Sequence, residues 1–342
     1  MKTVINSHCG TGLSMPDVPY PSQDMAAPLA LLARCPEHRV TPLLNRPDLA
    51  ALADVATVHV KDERDRMGLG SFKALGAAYV IACDAAEGAA KGRTYVTASA
   101  GNHGLSVAAG AAAFGARAQV YIAETVPEAF AQRLAKLGAR VTRAGATYED
   151  SMAAAEADAA ANGWTLLSDS SWPGYMTRPH RLMEGYLALM AEVFDQLEVP
   201  PTHILLQAGV GGLAGAAAAA ARAHWGATPT IVVVEPEAAP ALHASLAAGE
   251  AVTTAGPVSA MGRLDCKTPS LIALQGLARD ADLSALITED EAATATARLA
   301  GLGLASTPSG AAGLAALLSA DRAGLGLSSG ARVLAILSEG PE

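Results

Sequence analysis

A lysine follows a serine turn that is flanked by glycines, and this placement is unusual. Residues 68–76 read Gly-Leu-Gly-Ser-Phe-Lys-Ala-Leu-Gly, and Ser71 is placed to cap a helix with Lys73 in its first turn. Because the positive end of a helix dipole disfavours a cation, this position predicts a depressed pKa for the Lys73 amine. A neutral amine can form a Schiff base. A solvated surface lysine is the alternative interpretation of this segment taken alone.

A second polar turn reads Thr-Ala-Ser-Ala-Gly-Asn-His-Gly over residues 97–104 and opens a helix made mostly of Ala and Gly. Asn102 offers both an amide donor and a carbonyl acceptor. His103 has the chemistry of an acid, a base or a packing residue, and a satisfied structural histidine is an equally good interpretation.

A third turn follows an apolar strand and opens a helix over residues 207–215, Gln-Ala-Gly-Val-Gly-Gly-Leu-Ala-Gly. Its backbone N–H groups, together with the helix dipole, would hold an anion such as a phosphate. The same turn satisfies the pattern G-x-G-x-x-[GA], and Glu235 at the end of the next strand is placed to bind a ribose hydroxyl. A nicotinamide-dependent dehydrogenase is therefore an open alternative. A fourth turn, Leu-Ser-Glu-Gly, places the Ser338 hydroxyl after the last apolar strand.

The elements around these turns alternate between short β-branched runs and Ala-rich helical stretches, which predicts an α/β fold with buried parallel strands. Ligands in such sheets bind beyond the carboxyl ends of the strands, where the four turns lie. The first 40 residues are rich in proline and are expected to form an extended arm. The predicted strands are 57–60, 94–97, 118–122, 140–142, 164–167, 203–206, 231–234 and 333–337, and the predicted helices are 72–88, 102–114, 127–137, 147–161, 178–196, 211–225, 289–302 and 310–320.

Length and composition restrict the class of protein. A chain of 342 residues favours two domains, and 51% hydrophobic with only 4% aromatic residues predicts a core of Ala, Val and Leu. The net charge of -9, without a basic stripe, argues against a nucleic-acid partner.

The cysteines and the apolar segments predict a protein of a reducing compartment, and we expect a cytoplasmic one. The four cysteines lie far apart without metal-ligand spacing, so no metal site is expected. The first residues lack the apolar region of a signal peptide. The apolar run 204–221 consists largely of Gly and Ala and is interrupted by glycines, so we do not expect it to span a membrane.

Taken together and in this order, the four turns resemble the fold type II pyridoxal 5'-phosphate enzymes, the family of threonine dehydratase, cysteine synthase and diaminopropionate ammonia-lyase. The resemblance covers nearly the whole chain. It implies that Lys73 is the Schiff-base lysine, that Asn102 reaches the cofactor's 3'-oxygen, and that Ser338 contacts the pyridine nitrogen. The phosphate cradle would consist of Gly209, Val210, Gly211, Gly212 and Leu213.

Within the family the chain is most similar to the diaminopropionate ammonia-lyase group, through residues 68–76, 168–175, 265–270 and the ending Ser-Glu-Gly at 338–340. There are departures: Ala100 stands where that group has an aspartate that resembles a second base for D-substrates. Arg263 and Lys267 stand where it tends to have glycine.

The resemblance implies two open three-layer α/β domains with largely parallel sheets, the smaller at 80–180 inside a larger one formed by 1–79 and 181–342. The cofactor would lie between them, and the chain would form a homodimer. The implied reaction is α,β-elimination of ammonia from an L-amino acid, 2,3-diaminopropionate or a close relative, to give a 2-oxo acid. Lys73 would remove the α-proton, and Asp169 would contact the β-amino leaving group unless it is a structural cap.

The substrate would lie against the loop formed by Ser99, Ala100, Gly101 and His103. Arg263 and Lys267 would suit a substrate with a second carboxylate if they point inward, and would be surface charges otherwise. A serine/threonine-type or 3-hydroxyaspartate dehydratase stays open as an alternative, as does a non-catalytic protein that binds pyridoxal phosphate.

Overall fold

The computed structural model describes residues 1–319 and 323–341, and within them the chain forms two β-sheets with helices packed on their faces. The larger sheet has the order β1-β10-β9-β8-β11-β3-β2, and the smaller has the order β6-β5-β4-β7. The strands are β1 (Lys2–Ile5), β2 (Leu43–Asn45), β3 (Thr57–Asp62), β4 (Thr94–Ala98), β5 (Arg117–Ile122), β6 (Arg140–Arg143), β7 (Thr165–Leu166), β8 (His203–Gln207), β9 (Thr230–Pro236), β10 (Leu283–Ile287) and β11 (Arg332–Leu337).

The helices connect these strands and include several that the sequence pattern did not predict. They are α1 (Ala26–Leu32), α2 (Pro47–Ala53), α3 (Ala77–Ala86), α4 (Asn102–Ala113), α5 (Glu128–Lys136), α6 (Tyr148–Asn162), α7 (Thr177–Gln196), α8 (Gly212–Trp225), α9 (Ala241–Ala248), α10 (Leu271–Asp280), α11 (Glu289–Gly301) and α12 (Ala312–Leu318).

The centre of the larger sheet is parallel, and its two edges are antiparallel. Strands β10, β9, β8, β11 and β3 pair in parallel, whereas β1 pairs antiparallel with β10 and β2 antiparallel with β3. The central strands are apolar on both faces because helices cover both sides, as the alternation of elements predicted. The α/β class with largely parallel sheets is thereby confirmed.

The smaller sheet is parallel throughout and takes all its strands from residues 94–166. The strands of the larger sheet come from residues 2–62 and 203–337. The domain boundaries at 80 and 180 stay a prediction, since α3 runs across the first and α7 across the second.

The structure corrects the sequence interpretation at three places. The first 40 residues are not simply an extended arm, because they contain the edge strand β1 and the helix α1. The helix predicted over 72–88 is a 3₁₀ turn over Phe72–Leu75 followed by α3, and Ser71 precedes that turn without a side-chain capping bond. Strand β10 and the helices α2, α9 and α10 were not predicted.

Small residues let the central helices pack closely. The Ala run of α8 is buried against α7 and α10, and a Cβ on Gly215 would lie 3.0 Å from Met183 Cε. Such a core agrees with the low aromatic content of the chain. No helix in the part of the chain that the structure describes has the length and apolar character required to cross a membrane.

Candidate active site

Lys73 lies in the short 3₁₀ turn between β3 and α3, and two long-range contacts hold this turn in place. The Phe72 N–H donates to Ser338 O at 3.0 Å, which ties the turn to the end of β11. On the other side, Tyr186 of α7 packs edge-to-face on Phe72 with ring centroids 4.9 Å apart. The lysine is therefore positioned by the larger sheet and by α7 together.

Asp169 is the partner of Lys73. The Lys73 Nζ lies 2.5 Å from Asp169 Oδ2, and both side chains are 22% exposed. The segment that carries Asp169 is anchored by neighbouring serines, because the Ser171 and Ser270 hydroxyls lie 2.7 Å apart and Ser171 Oγ accepts the Ile272 N–H at 2.9 Å. The structure thus places the predicted leaving-group residue directly against the predicted Schiff-base lysine.

The ion pair determines the charge of both groups. Burial would raise the pKa of Asp169, but the Lys73 ammonium outweighs burial and holds that pKa well below its usual value. Burial would lower the pKa of Lys73, but the Asp169 carboxylate raises it. The depressed pKa predicted for Lys73 from a helix dipole is therefore wrong for this state of the chain, because a 3₁₀ turn replaces the helix and a carboxylate lies beside the amine.

The second turn brings the smaller sheet to the same place. A Cβ on Gly104 would lie only 2.1 Å from Ser99 O, so the first turn of α4 requires glycine there. His103 is buried, and its Nε2 lies 2.8 Å from Leu167 O, so it donates and leaves Nδ1 as an acceptor. Burial lowers the pKa of His103, although the nearby Asp169 opposes this, and the ring is therefore expected to be neutral.

The third turn forms a cradle at the start of α8. Gly211 has a φ of 97° and Gly212 begins the helix, whose first turn contains no acidic residue. A Cβ on Gly209 would lie 3.0 Å from Arg263 O and from Cys266 Sγ, so this backbone is held close to the following loop. The free N–H groups of a helix start, without a competing carboxylate, suit a phosphate. The geometry of residues 209–213 therefore suits the predicted phosphate cradle, and the binding itself stays a prediction.

The cradle and Lys73 are neighbours. A Cβ on Gly212 would lie 3.7 Å from Tyr186 Cε2 and 4.0 Å from Asp169 O, while Lys73 Nζ lies 5.9 Å from the Tyr186 ring centre. An amine and an anion cradle therefore share one site.

The fourth turn places Ser338 behind the lysine turn. Its side chain is buried, and its backbone contacts Phe72 and Gly310. The next residue, Glu339, forms an ion pair with Arg263, whose Nε lies 2.8 Å from Glu339 Oε2. Glu339 also accepts a hydrogen bond from Asn102 Nδ2, so Arg263, Glu339 and Asn102 form one cluster.

Lys267 does not join that cluster. Its ammonium donates to Ala238 O at 2.8 Å and to Pro257 O at 2.9 Å, and it pairs with Asp265 at 2.6 Å. The three N–H donors of an ammonium are thereby matched by Ala238, Pro257 and Asp265, so the structure gives no support to a contact between Lys267 and the substrate, and that contact stays a prediction.

Three residues of the site escaped sequence reasoning. Tyr186 has a buried hydroxyl without a hydrogen-bond partner in the described residues, and burial raises its pKa to about 12. Cys266 lies beside the cradle, and burial raises the pKa of its thiol to about 12. Glu339 is the third. The Ser-Glu-Gly ending carried a signal for Glu339, and the segment 265–270 carried one for Cys266, whereas Tyr186 had no local signal.

Glu235 is not available to a ribose, which corrects the dehydrogenase alternative. Its carboxylate accepts the N–H groups of Leu242 at 2.8 Å and His243 at 2.7 Å, so it caps the start of α9. The third turn therefore lacks the acidic residue that would bind the ribose in a dinucleotide site.

The site and the sheet order define a class of α/β enzyme in which a lysine, an anion cradle and an asparagine meet at the carboxyl ends of parallel strands. The family model described as "Pyridoxal-phosphate dependent enzyme" matches residues 35–339. The chain therefore belongs to the family of pyridoxal-phosphate dependent enzymes, and its cofactor is pyridoxal 5'-phosphate.

The similar proteins include several lyases. The chain is 32% identical over 272 residues to the diaminopropionate ammonia-lyase of Salmonella typhimurium, which covers 71% of this chain and 67% of that protein. It is 30% identical to a serine dehydratase-like protein of Rattus norvegicus, over 77% of this chain and 76% of that protein. The solved structure of the Escherichia coli diaminopropionate ammonia-lyase with an aminoacrylate-PLP azomethine reaction intermediate has a TM-score of 0.88 and 29% identity, and the match covers 99% of this chain and 93% of that chain.

The residues present fit the cofactor. The cradle at 209–213 suits its phosphate, and Lys73 is the only lysine in contact with Asp169 among the described residues. The ring of Tyr186, whose hydroxyl has no hydrogen-bond partner among the described residues, lies beside both Gly212 and Lys73. Lys73 would hold the aldehyde carbon of the cofactor, and the other contacts proposed from the resemblance, at Asn102 and Ser338, stay predictions.

Proposed function

We propose that this chain catalyses the α,β-elimination of ammonia from L-2,3-diaminopropionate or a close β-amino relative, giving a 2-oxo acid. The observation that carries the proposal is the contact of 2.5 Å between Lys73 Nζ and Asp169 Oδ2 beside an anion cradle. It places an amine and a carboxylate at one centre. The similarity to diaminopropionate ammonia-lyases supports the same assignment.

When bound, pyridoxal phosphate supplies an electron sink for the bond pair left by the departing α-proton. Lys73 is the base that takes this proton. Asp169 is a carboxylate beside the Lys73 ammonium, which holds its pKa well below its usual value. As a carboxylate it would hold a protonated β-amino group and orient it for departure as neutral ammonia. A carboxylate at this point suits an amine better than it suits a hydroxyl group.

The position of Ala100 sets the expected stereochemistry. Its methyl group carries no proton acceptor, and it lies in the loop before α4 where the lyase group has an aspartate. With Lys73 as the base, we expect the enzyme to use L-substrates.

Arg263 lies at the site, since its Nε would lie 4.0 Å from a Cβ on Gly101, and the same Nε pairs with Glu339. A 3-hydroxyaspartate dehydratase, whose substrate carries a second carboxylate, therefore stays an alternative.

A dehydratase acting on L-serine or L-threonine remains the second candidate. The observation that favours it is Ala100, which departs from the lyase pattern, together with the similarity to a serine dehydratase-like protein.

Product stoichiometry separates the two candidates. Purified protein loaded with pyridoxal phosphate is incubated with L-2,3-diaminopropionate and, separately, with L-serine, and ammonia and 2-oxo acid are both measured. The proposal predicts two ammonia per 2-oxo acid from the diamine and a higher kcat/KM for it than for L-serine. Preferred turnover of L-serine, with one ammonia per 2-oxo acid, would favour the dehydratase.

Binding of pyridoxal phosphate without release of a 2-oxo acid from any amino acid would favour a non-catalytic binding protein.

We further infer a cytoplasmic homodimer. All four cysteines are free, which suits a reducing compartment. Sedimentation velocity on the holoenzyme tests the assembly, and a monomer would contradict it.

A further inference from the structure

The carboxylate of Glu339 joins three separate segments of the chain. Its Oε2 accepts from Asn102 Nδ2 at the start of α4 and lies 2.8 Å from Arg263 Nε in the loop before α10. Its Oε1 accepts from Thr307 Oγ1, which precedes α12. The side chain is only 5% exposed. One carboxylate thereby connects α4, which packs on the smaller sheet, to two loops beside the larger sheet.

The backbone leaves this carboxylate little freedom. Gly340 N–H donates to Gly70 O at 3.0 Å, and Ser306 Oγ donates to Glu339 O at 2.6 Å. A Cβ on Gly310 would lie 2.7 Å from Glu339 Cγ, so glycine at 310 is needed for the side chain to pass. Glu339 is therefore held from both sides.

The direction of the hydrogen bonds follows from the partners. Thr307 Oγ1 accepts the Gly310 N–H at 3.0 Å, and its single proton is then donated to Glu339. With a hydroxyl and an amide donating to it and a guanidinium paired with it, the Glu339 carboxylate is the acceptor in these contacts. Asn102 must turn its NH2 group toward it, because its carbonyl oxygen would be repelled.

We propose that Glu339 is a positioning residue that fixes the orientation of the Asn102 amide toward the cofactor. An NH2 group has two N–H donors; one is held by Glu339, and the other is then directed to the phenolic oxygen of the bound pyridoxal phosphate. Arg263 balances the charge of Glu339, and Thr307 anchors it. This inference depends on the proposed function, since it takes the contact between Asn102 and the cofactor from it.

A double-mutant cycle tests the coupling. Pyridoxal phosphate is titrated into the apo forms of the wild type, Asn102→Ala, Glu339→Gln and the double variant, and the Kd and the pH titration of the visible absorbance are measured. Because a hydrogen bond to a charged group is worth about a factor of ten in affinity, we expect each single variant to bind about tenfold more weakly. If Glu339 acts through Asn102, the double variant is also about tenfold weaker, whereas independent effects would multiply to about a hundredfold.

The absorbance titration separates positioning from a general loss of structure. We expect the pH midpoint of the absorbance to shift in both single variants. In the double variant it should shift no further than in Asn102→Ala alone. Glu237→Gln is the matched control, since Glu237 pairs with Lys2 on the surface, and it should match the wild type. Multiplying effects on the Kd, or an unchanged midpoint in Glu339→Gln, would overturn the proposal.

A milder variant covers the case in which Glu339→Gln does not fold. Thr307→Val removes one donor to Glu339 at nearly constant volume. We expect it to weaken pyridoxal phosphate binding and to shift the absorbance midpoint in the wild-type background, and to do neither in the Asn102→Ala background. Unchanged values would overturn the proposal. A wild-type protein that binds no pyridoxal phosphate would instead refute the proposed function.

Discussion

At the scale of single residues, the centre of the site is an ion pair between one amine and one carboxylate. Lys73 and Asp169 neutralise each other, so neither of these half-buried charges is left unpaired. With pyridoxal phosphate held at Lys73, Asp169 would be available to pair with the positive β-amino group of a substrate. The ion pair thus keeps the leaving-group contact ready.

Replacing Asp169 by Asn should therefore reduce kcat for L-2,3-diaminopropionate about 100-fold, since loss of one preorganised polar group at the reacting centre typically costs that much or more. The loss should be smaller for L-serine, whose leaving group carries no positive charge. Steady-state kinetics with both substrates checks this, with Asp158→Asn as the control because Asp158 binds Tyr121 in the smaller sheet. Equal losses for the two substrates would contradict the role of Asp169.

Ala100 gives a second prediction at this scale. Wild-type protein should turn over L-2,3-diaminopropionate and leave the D-isomer essentially unused, because only Lys73 is placed as a base. Ala100→Asp should introduce measurable turnover of the D-isomer, and Ala100→Ser should not. Chiral chromatography of the remaining substrate measures the use of each isomer. Comparable use of both isomers by the wild type would show that the base is assigned to the wrong face of the substrate.

Residues with a local signal could be predicted from sequence, and residues defined by distant contacts could not. The helix start at 209–213 follows from turn chemistry alone, and α8 begins at Gly212 in the structure. Tyr186 lies on a helix more than a hundred positions after Lys73, and Glu339 meets Asn102 across 237 positions. No pattern within a window of the sequence contains such contacts.

At the scale of elements, close packing between α7 and the lysine turn positions the chemistry. A Cβ on Gly185 would lie 2.3 Å from Leu75 O and 3.0 Å from Tyr79 Cβ. A Cβ on Gly76 would lie 2.7 Å from Tyr186 Cε1. Two glycines therefore allow α7 to approach the backbone of the turn that carries Lys73.

Gly185→Ala should destabilise the protein by about 3 kcal/mol, the upper range for overpacking a core, and it should lower kcat/KM because the lysine turn is displaced. Gly301→Ala is the matched control. Gly301 ends α11 with no atom within 4 Å of an added Cβ, so alanine there should be neutral or stabilise by up to about 1 kcal/mol. Urea unfolding measures both, and equal stability of the two variants would contradict the packing argument.

Four of the elements that escaped prediction are short and carry a weak signal. Strand β1 has four residues and β2 has three, and both lie at the sheet edges. Helices α1 and α2 have seven residues each, too short for a clear helical period. Long buried strands such as β9 were predicted to within two residues because their apolar runs are continuous.

At the scale of the whole molecule, a buried charge network fastens β3 to α7. Glu192 of α7 pairs with Lys61 and with Arg66, each at 2.7 Å, and Arg66 also pairs with Glu63 at 2.7 Å. Arg66 and Glu63 are fully buried. The loop from β3 to the lysine turn passes through this network, so the position of the site depends on it.

Removing one partner should leave an uncompensated charge, so Glu192→Gln should cost about 3–5 kcal/mol of unfolding free energy. Burial would raise the pKa of Glu192, but Arg66 and Lys61 outweigh it and lower that pKa. The stabilisation is therefore present above the ordinary glutamate value and is lost as the pH falls below it. Thermal unfolding below about pH 5 should depend less on pH in Glu192→Gln than in the wild type. Glu128→Gln, which breaks an exposed pair with Arg143, is the control and should match the wild type in stability and in pH dependence. A loss of stability in Glu128→Gln as large as that in Glu192→Gln would contradict the argument from burial.

The central claim is that the cofactor is attached at Lys73 of the six lysines in the chain. Holoenzyme is reduced with borohydride, digested, and its peptides are mapped by mass spectrometry. The account predicts loss of the yellow colour and a reduced pyridoxal phosphate adduct on the peptide that contains Lys73, with no adduct in Lys73→Ala. An adduct on Lys61, Lys267 or another lysine, or no adduct in a yellow wild-type protein, would contradict it.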